Sequence, residues 1–482
     1  MKIVLLPLDE RPCNYIYPQE LPLSEKISLV LPPKELMSNK KEVCDIDLLH
    51  KWLINECKDA DYALLSLDTL LYGGIVPSRL HHDDFETLTK RSAVLEQIKK
   101  NNHKIKIFVN ELIMRTPCYS NATEEPDYFD DYGRELWEYG YYLDKEMQNV
   151  ISEVEQKKKE ELKRLIPNKY LEDLMNRRQI NKEVIIHNLK YLLNGTIDDF
   201  IIPQDDCAPY GFTSIDRREI NEFLVNNNLD KKVVMYPGAD EAGLVLISKT
   251  LNDYHKKTLK VFVKYTDEKM KQTIPPFEDR PIDTTISQHI QNARMERIND
   301  ARDADLVLCV NLYDEEKNDK LASFIDFIKE QKEAGKTIGV ADVIYTNRGD
   351  MKLFKKLHEE HMLTMVDAYA GWNTSSNTLG TTIANTVAYY YSKKDKYYSL
   401  FARYLEDIFY MGEVRDMLNE KASADKLSIE NLVPELYEFV QLAKSELEKS
   451  IELYDLRDIY NYHSLDVYFP WRRTFEIGLI IK

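Results

Sequence analysis

The sequence predicts an α/β protein: a (β/α)8-type barrel with a helical insertion and a C-terminal helical domain. Three observations lead there. Short apolar runs recur along the chain, they are apolar on both faces, and nearly every one ends in polar residues. Runs of that kind suit parallel strands buried between helices. The segments between them, such as DLLHKWLINEC and RSAVLEQIKKNN, repeat their apolar residues at helical spacing. Strand alternating with helix means a parallel sheet.

Nine strands are expected, at 2–9, 61–68, 104–111, 199–206, 232–241, 260–267, 305–312, 337–347 and 364–373. A barrel of this type closes with eight, so one strand would lie outside it. The barrel reading brings all the polar strand ends to one mouth, where barrel active sites sit. The alternative is two doubly wound, Rossmann-like lobes, at about 1–250 and 251–390. On the barrel reading residues 1–380 are a catalytic domain, interrupted by an insertion at about 115–197. The acidic, aromatic stretch EEPDYFDDYGRELWEYGYYLDKE of the insertion is expected to fold over the mouth as a lid. Its charged continuation, EVEQKKKEELKRL, reads as a solvated helical face. Residues 381–482 are expected to be mostly helical and to close on a final strand.

With 482 residues, 43% of them hydrophobic, there is ample material for a core. The net charge of −17 argues against nucleic acid and anionic membranes as partners. No run approaches the roughly 18 apolar residues of a membrane span. The opening MKIVLLPLDERP reaches charged residues too soon for a signal peptide and reads as a first strand. The six cysteines form no CxxC pair, so neither a zinc knuckle nor a dithiol motif is expected. A cytoplasmic protein follows, working on a small molecule or an oligosaccharide, with no cofactor and no metal. The oligomeric state has no signature in the sequence.

The strand ends carry the candidate chemistry. LDERPCN places Asp9, Glu10 and Arg11 together; carboxylates that accept and a guanidinium that donates can bind hydroxyls. LDTLLYGGIVPSR offers Asp68, a Gly-Gly turn and Arg79. VNELIMRT ends in Asn110 and Glu111. PQDDCAPYG sets Asp205 beside Asp206, followed by Tyr210. Two adjacent carboxylates cannot both ionise cheaply, so one is expected to stay protonated near neutrality and serve as a general acid. PGADEAG presents a second pair, Asp240 and Glu241. Near the last strands lie Asp342, Asn347 and Arg348, then Asp367, Trp372, Asn373 and Asn377. Trp372 could floor a sugar subsite, with Asn373 bonding hydroxyls; core packing is the plainer role for such a residue. No GxSxG, HExxH or GxGxxG pattern is present.

The blocks LPLDERP, LLYGGIVPSR, PQDDCAPYG, PGADEAG and AYAGWNTSSNTLGT resemble those of a bacterial family known only as a domain of unknown function. That resemblance runs nearly the whole chain and implies no activity. The aspartate pair after an apolar strand is also similar to the barrel N-acetylglucosaminidases of the O-GlcNAcase and bacterial hyaluronidase type. That resemblance implies that Asp205 orients a substrate acetamido group and that Asp206 is the acid–base.

The expected function is therefore a glycoside hydrolase acting on a terminal sugar, possibly an N-acetylhexosamine. Asp205, Asp206, Asp240 and Glu241 would be catalytic. Asp9, Glu10, Arg11, Asp68, Arg79, Asn110, Glu111, Tyr210, Asn347, Trp372 and Asn373 would hold substrate. The first alternative is a magnesium- or manganese-dependent hydrolase or lyase with Asp9, Asp68 and Asp206 as ligands. The second, tied to the two-lobe fold, is a non-catalytic protein that binds a small ligand.

Overall fold

The computed structural model describes residues 1–314 and 320–482. All nine expected strands are present, but they build two separate parallel sheets instead of one closed barrel. The first sheet contains β1 (Lys2–Leu6), β2 (Ser28–Val30), β3 (Tyr62–Ser66), β4 (Lys106–Asn110), β5 (Asp199–Gln204) and β6 (Val234–Pro237). Its order is β2-β1-β3-β4-β5-β6, with every pairing parallel. The second contains β7 (Lys260–Tyr265), β8 (Glu296–Ile298), β9 (Leu306–Asn311), β10 (Thr337–Asp342) and β11 (Ala368–Ala370). Its order is β11-β10-β9-β7-β8, again all parallel.

The barrel expectation fails for a physical reason. A barrel requires its last strand to hydrogen-bond its first. Here β2 and β6 are the edges of one sheet, and β8 and β11 the edges of the other. Counted in chain order, both sheets run second, first, third, fourth, fifth, and the first sheet adds a sixth. In that order the direction of winding reverses between the first and third strands. β2 and β8 escape the sequence reading because each has three residues and is half-exposed at a sheet edge.

The chain divides into two compact units around these sheets. The first comprises 1–10, 26–246 and 277–280; the second comprises 11–25, 247–276 and 281–482. Residues 381–482 thus belong with the second sheet's unit. That region is helical, as expected, and ends in an antiparallel pair, β12 (Leu465–Tyr468) with β13 (Gly478–Ile481).

In the first unit the strands bury Val4, Leu6, Leu65, Val109 and Ile202 against Leu49, Leu53, Leu189 and Leu224 of the surrounding helices. The insertion forms three helices, Phe129–Met147, Glu153–Leu165 and Asn168–Leu193. It has its own core, where Leu136, Leu162 and Leu174 meet Phe212 and Ile215. The helix 153–165 starts at a Ser152–Glu155 capping box and buries only Lys159 and Leu162, which makes it a largely solvated face.

In the second unit β9 and β10 are buried throughout. A π-helical segment, Tyr404–Val414, seats against two glycine turns at the sheet's carboxyl edge. The Gly371 N–H donates to the Asp407 carboxylate at 2.7 Å, and the Gly349 N–H donates to the Asp407 carbonyl at 2.8 Å. A Cβ on Gly371 would lie 2.8 Å from the Gly349 Cα. Backbone cannot yield as a side-chain tip can, so Gly371→Ala is expected to cost about 1–3 kcal/mol by overpacking. Gly243→Ala, whose Cβ would meet only Leu5 at 3.7 Å, is expected to be tolerated. Urea denaturation of the two variants beside the parent protein measures the difference.

Candidate functional site

The fifteen candidate residues do not share one mouth. Arg11, Asn347, Trp372 and Asn373 belong to the second unit and the other eleven to the first. Most of the first-unit candidates lie at the carboxyl edge of that unit's sheet, and the local sequence explains how each is placed.

β5 ends at Gln204, and the chain turns at the two aspartates. Asp206 adopts a left-handed φ of 34°, rare for a non-glycine residue. The turn breaks the strand's up–down alternation, so both carboxylates join one cluster. Asp205 accepts from the Arg79 Nη2 at 2.6 Å, and Asp206 accepts from the Arg115 Nη1 at 3.0 Å.

Arg79 arrives by a glycine turn. The helix Leu67–Tyr72 stops at Gly73, whose φ of 99° is the left-handed cap that glycine supplies. The next helix, Ile75–Leu80, carries Arg79. Thr69 ties this corner to the end of β1, donating to the Pro7 and Leu8 carbonyls at 2.6 and 2.8 Å. Arg115 arrives by an extension of β4. There the Ile113 N–H donates to the Pro203 carbonyl and the Ile113 carbonyl accepts from the Asp205 N–H. Arg178 of the long insertion helix braces the extension from behind. Its guanidinium donates to the Met114 carbonyl at 2.8 Å and the Arg115 carbonyl at 3.0 Å, and pairs with Asp216 at 2.6 Å.

Two more residues complete the cluster and, like Arg115, neither was a candidate. Glu124 lies 3.0 Å from Arg79 and 3.2 Å from Arg115; Glu125 lies 3.4 and 2.8 Å from the same two. Two guanidinium groups therefore hold four carboxylates, all at least four-fifths buried. Burial, and after it the excess negative charge, raises two of these acids. Burial pushes the Asp206 carboxyl up to about 6 against the pull of Arg115, and Asp205 adds to the rise. Burial pushes Glu125 up as well. Only the acidic, aromatic composition of the lid stretch hinted at these residues. Arg115, Glu124 and Glu125 stand on the loop between β4 and the insertion's first helix, and no spacing links them to Asp205.

Asp206 also borders a shallow recess, open to solvent, with Thr116, Trp137, Tyr210, Phe212 and Thr213. Trp137 stacks on Tyr141 with centroids 5.6 Å apart, and Tyr141 meets Tyr210 edge-on at 5.5 Å. An aromatic wall thus faces a carboxyl that titrates near neutrality.

Behind the cluster are two further buried acids. Asp68 accepts from the Leu112 N–H at 3.0 Å, and burial pushes it up to about 7. Glu111 is 1% exposed, and both its oxygens lie 3.0 Å from the Asn188 amide nitrogen. Burial raises Glu111 well above its ordinary range despite that bond. Asn110, at the tip of β4, is buried and its side-chain oxygen has no hydrogen-bond partner among the described residues. Glu10 accepts from the Lys40 N–H at 2.9 Å, and Asp9 is buried at the end of β1. Glu241 folds back over Gly238 and accepts from the Ala239 N–H at 3.0 Å, which gives it a local structural bond; Asp240 is buried in the same turn.

In the second unit Trp372 is 3% exposed and packs edge-on against Tyr17 and Phe475 at 6.3 and 6.5 Å, so it is a core residue and not an open sugar floor. Asn347 and Asn373 both take left-handed φ, 66° and 61°, and are joined by an Asn347 N–H to Asn373 carbonyl bond of 2.9 Å. Arg11 lies over the Trp471 ring at 4.9 Å and 3.6 Å from Glu476. Asp367 is not at a strand tip. It precedes β11, bonds the Ile338 N–H, and pairs with Lys332 and Lys396.

A family model matches residues 3–480, nearly the whole length. The chain belongs to the DUF4127 family, proteins of unknown function. No curated protein and no solved structure matches the chain. The likeness to the barrel N-acetylglucosaminidases therefore rests on the aspartate pair alone. Among the described residues no helix is long and apolar enough to cross a membrane. No group of three or more His, Cys, Asp or Glu side chains able to hold a metal is found among them either.

The Glu111 environment makes a test by pH. An acid whose folded pKa is raised contributes stability that is fully present below its unfolded pKa and is lost as pH rises toward the folded one. For Glu111 the loss begins near the ordinary value of 4.5. Glu111→Gln removes this dependence and supplies a donor that suits the Asn188 oxygen, which has no partner among the described residues. The variant is expected to gain on the parent protein as pH rises from 4.5, by about 1.4 kcal/mol per unit until the folded pKa is reached. Denaturation midpoints of both proteins between pH 4 and pH 9 measure the divergence.

Proposed function

We propose that the protein binds a small polar ligand in the Asp206 pocket, without chemistry on it. The supporting observation is the pocket itself: one carboxyl that accepts hydrogen bonds, two threonine hydroxyls, and an aromatic wall. A net negative cluster behind Asp206 selects hydroxyl or amine donors and rejects anions. Aromatic faces suit the C–H face of a sugar ring. The recess is open to solvent and encloses room for about one water, so a ring-sized ligand would rest one edge in it and stay partly solvated. On this reading the protein is a cytoplasmic binding protein for a sugar-like molecule.

Glycoside hydrolysis is the second reading, and the raised pKa of Asp206 favours it, because a general acid works best near the operating pH. It also needs a second carboxylate across the bond to be cut. Asp205 is bound to the Arg79 guanidinium, and the glycosidase reading offers no other carboxylate in the pocket. The metal-dependent alternative has less support. Asp206 is paired with Arg115, and Asp68 at about 7 is half neutral at physiological pH.

Titration calorimetry with hexoses, N-acetylhexosamines and polyols tests the proposal, with nitrophenyl glycosides run in parallel for turnover. Saturable binding is expected, weakened about tenfold or more by Asp206→Ala, the loss of a hydrogen bond to a charged group. Affinity is expected to fall as pH drops through about 6, where Asp206 takes up a proton. Nitrophenol release by the parent protein but not by Asp206→Asn would install the hydrolase reading instead. Failure of the whole panel to bind would overturn both.

A further inference from the structure

The recess beside Asp206 presents acceptors and ring faces. The Oδ2 of Asp206 accepts from Arg115 at 3.0 Å. Its Oδ1 has no donor among the described residues and is not closed to solvent. The Thr213 hydroxyl donates to the Met114 carbonyl at 3.2 Å, which leaves its oxygen to accept. Trp137 and Tyr210 line the recess, and Tyr141 touches both. All three rings are half-buried, so each keeps a solvated part.

Hydroxyls, amides and ammonium groups all donate to such acceptors, and charge separates them. In the cluster that Asp206 joins, four carboxylates share two guanidinium groups. The field of this cluster attracts a cation to the recess. Ring faces do the same, because a π-face carries partial negative charge. The chain's own Lys145 makes that contact. Its ammonium lies 5.8 Å from the centre of the Tyr141 ring and 5.9 Å from that of Tyr210. Lys145 is paired with Glu155, so it does not offset the acids around Asp206. The helix Phe212–Asn226 starts at the recess, and a helix N-terminus favours an anion. The buried Asp144, itself held by Arg218, already takes that place, accepting from the Gly211 N–H at 2.9 Å.

We infer that the ligand of this recess carries a primary ammonium group, the chemistry of an amino sugar. The inference rests on the ligand-binding reading of the same recess and narrows it. The ammonium N–H groups bond Asp206 and Thr213, and the charge lies against the ring faces. A neutral sugar offers the donors without the charge, and a quaternary amine offers the charge without the donors.

The test is calorimetric titration of the full chain near neutral pH with glucosamine, glucose and N-acetylglucosamine. These share one ring and carry an ammonium, a hydroxyl or a neutral amide at the same carbon. Glucosamine is expected to bind about tenfold or more tightly than either neutral sugar, the gain of a charge-assisted bond. Asp206→Asn is expected to remove most of that preference. A second measurement needs no variant. Raising sodium chloride from about 0.05 M to about 0.5 M is expected to weaken glucosamine severalfold and to leave glucose unchanged, because salt screens only the charged pair. Equal affinity for the three sugars overturns the inference and leaves the ligand-binding reading standing. A preference for glucosamine that both Asp206→Asn and salt leave unchanged places the ammonium elsewhere and overturns it too. Choline bound more tightly than glucosamine would overturn the assignment of a primary ammonium. Failure of all three sugars to bind overturns the inference, and, with the polyols also silent, the reading beneath it.

Discussion

Two guanidinium groups facing four carboxylates are the constraint on which the edge of the first sheet depends. Arg79 and Arg115 cannot be buried without acids, and Asp205, Asp206, Glu124 and Glu125 cannot be buried without them. The surrounding construction serves to deliver these six groups. The Gly73 cap turns the chain toward Arg79, Thr69 fastens that corner to β1, and Arg178 braces the loop that carries Arg115. The left-handed turn at Asp206 lets neighbouring residues serve the same cluster. Burial, with the Asp205 charge adding to it, leaves Asp206 with a pKa of about 6 and an edge on the pocket.

The second unit settles a similar problem differently. Asp342 accepts from Asn311, from the Asp350 N–H and from the Tyr369 hydroxyl, and Asp350 accepts from Asn311 and Tyr313. Burial pushes Asp342 up to about 7, with the Asp350 charge as a further cause. Here neutral donors, not arginines, share the burden of paired carboxyls. Elsewhere in this unit arginines do pair with buried acids and also cover rings: Arg403 holds Glu406 at 2.6 Å and Asp407 at 3.0 Å and lies over Tyr17 at 3.6 Å, and Arg473 holds Glu476 at 2.9 Å and lies over Trp471 at 4.5 Å. Both sheets thus bring acids to their carboxyl edges, where sheets of this winding hold ligands.

The strands were legible because burial on both faces leaves a continuous apolar run, as in β3, β9 and β10. Their closure was not legible. Alternating strand and helix is written identically for a barrel and for two open sheets, and only the pairing of edges such as β2 and β6 decides between them. The aspartate pair and Arg79 could be read from the sequence as polar residues after strands. Arg115, Glu124 and Glu125 could not, since the contacts that matter join residues far apart in the chain. Asp205 and Arg79, for example, are 126 positions apart. Trp372 shows the opposite error: an aromatic beside a strand end suggested a sugar floor, and its neighbours Tyr17 and Phe475 turn it into core.

The most direct test of the account is the pKa of Asp206 in the intact protein, from 13C-detected NMR of aspartate side chains, assigned with Asp206→Asn. The account predicts a value near 6, which falls when a sugar-like ligand is bound, because donors to the carboxylate favour its ionised form. A value at or below the ordinary aspartate pKa of about 3.9 would show that the arginines dominate over burial, and would contradict the account.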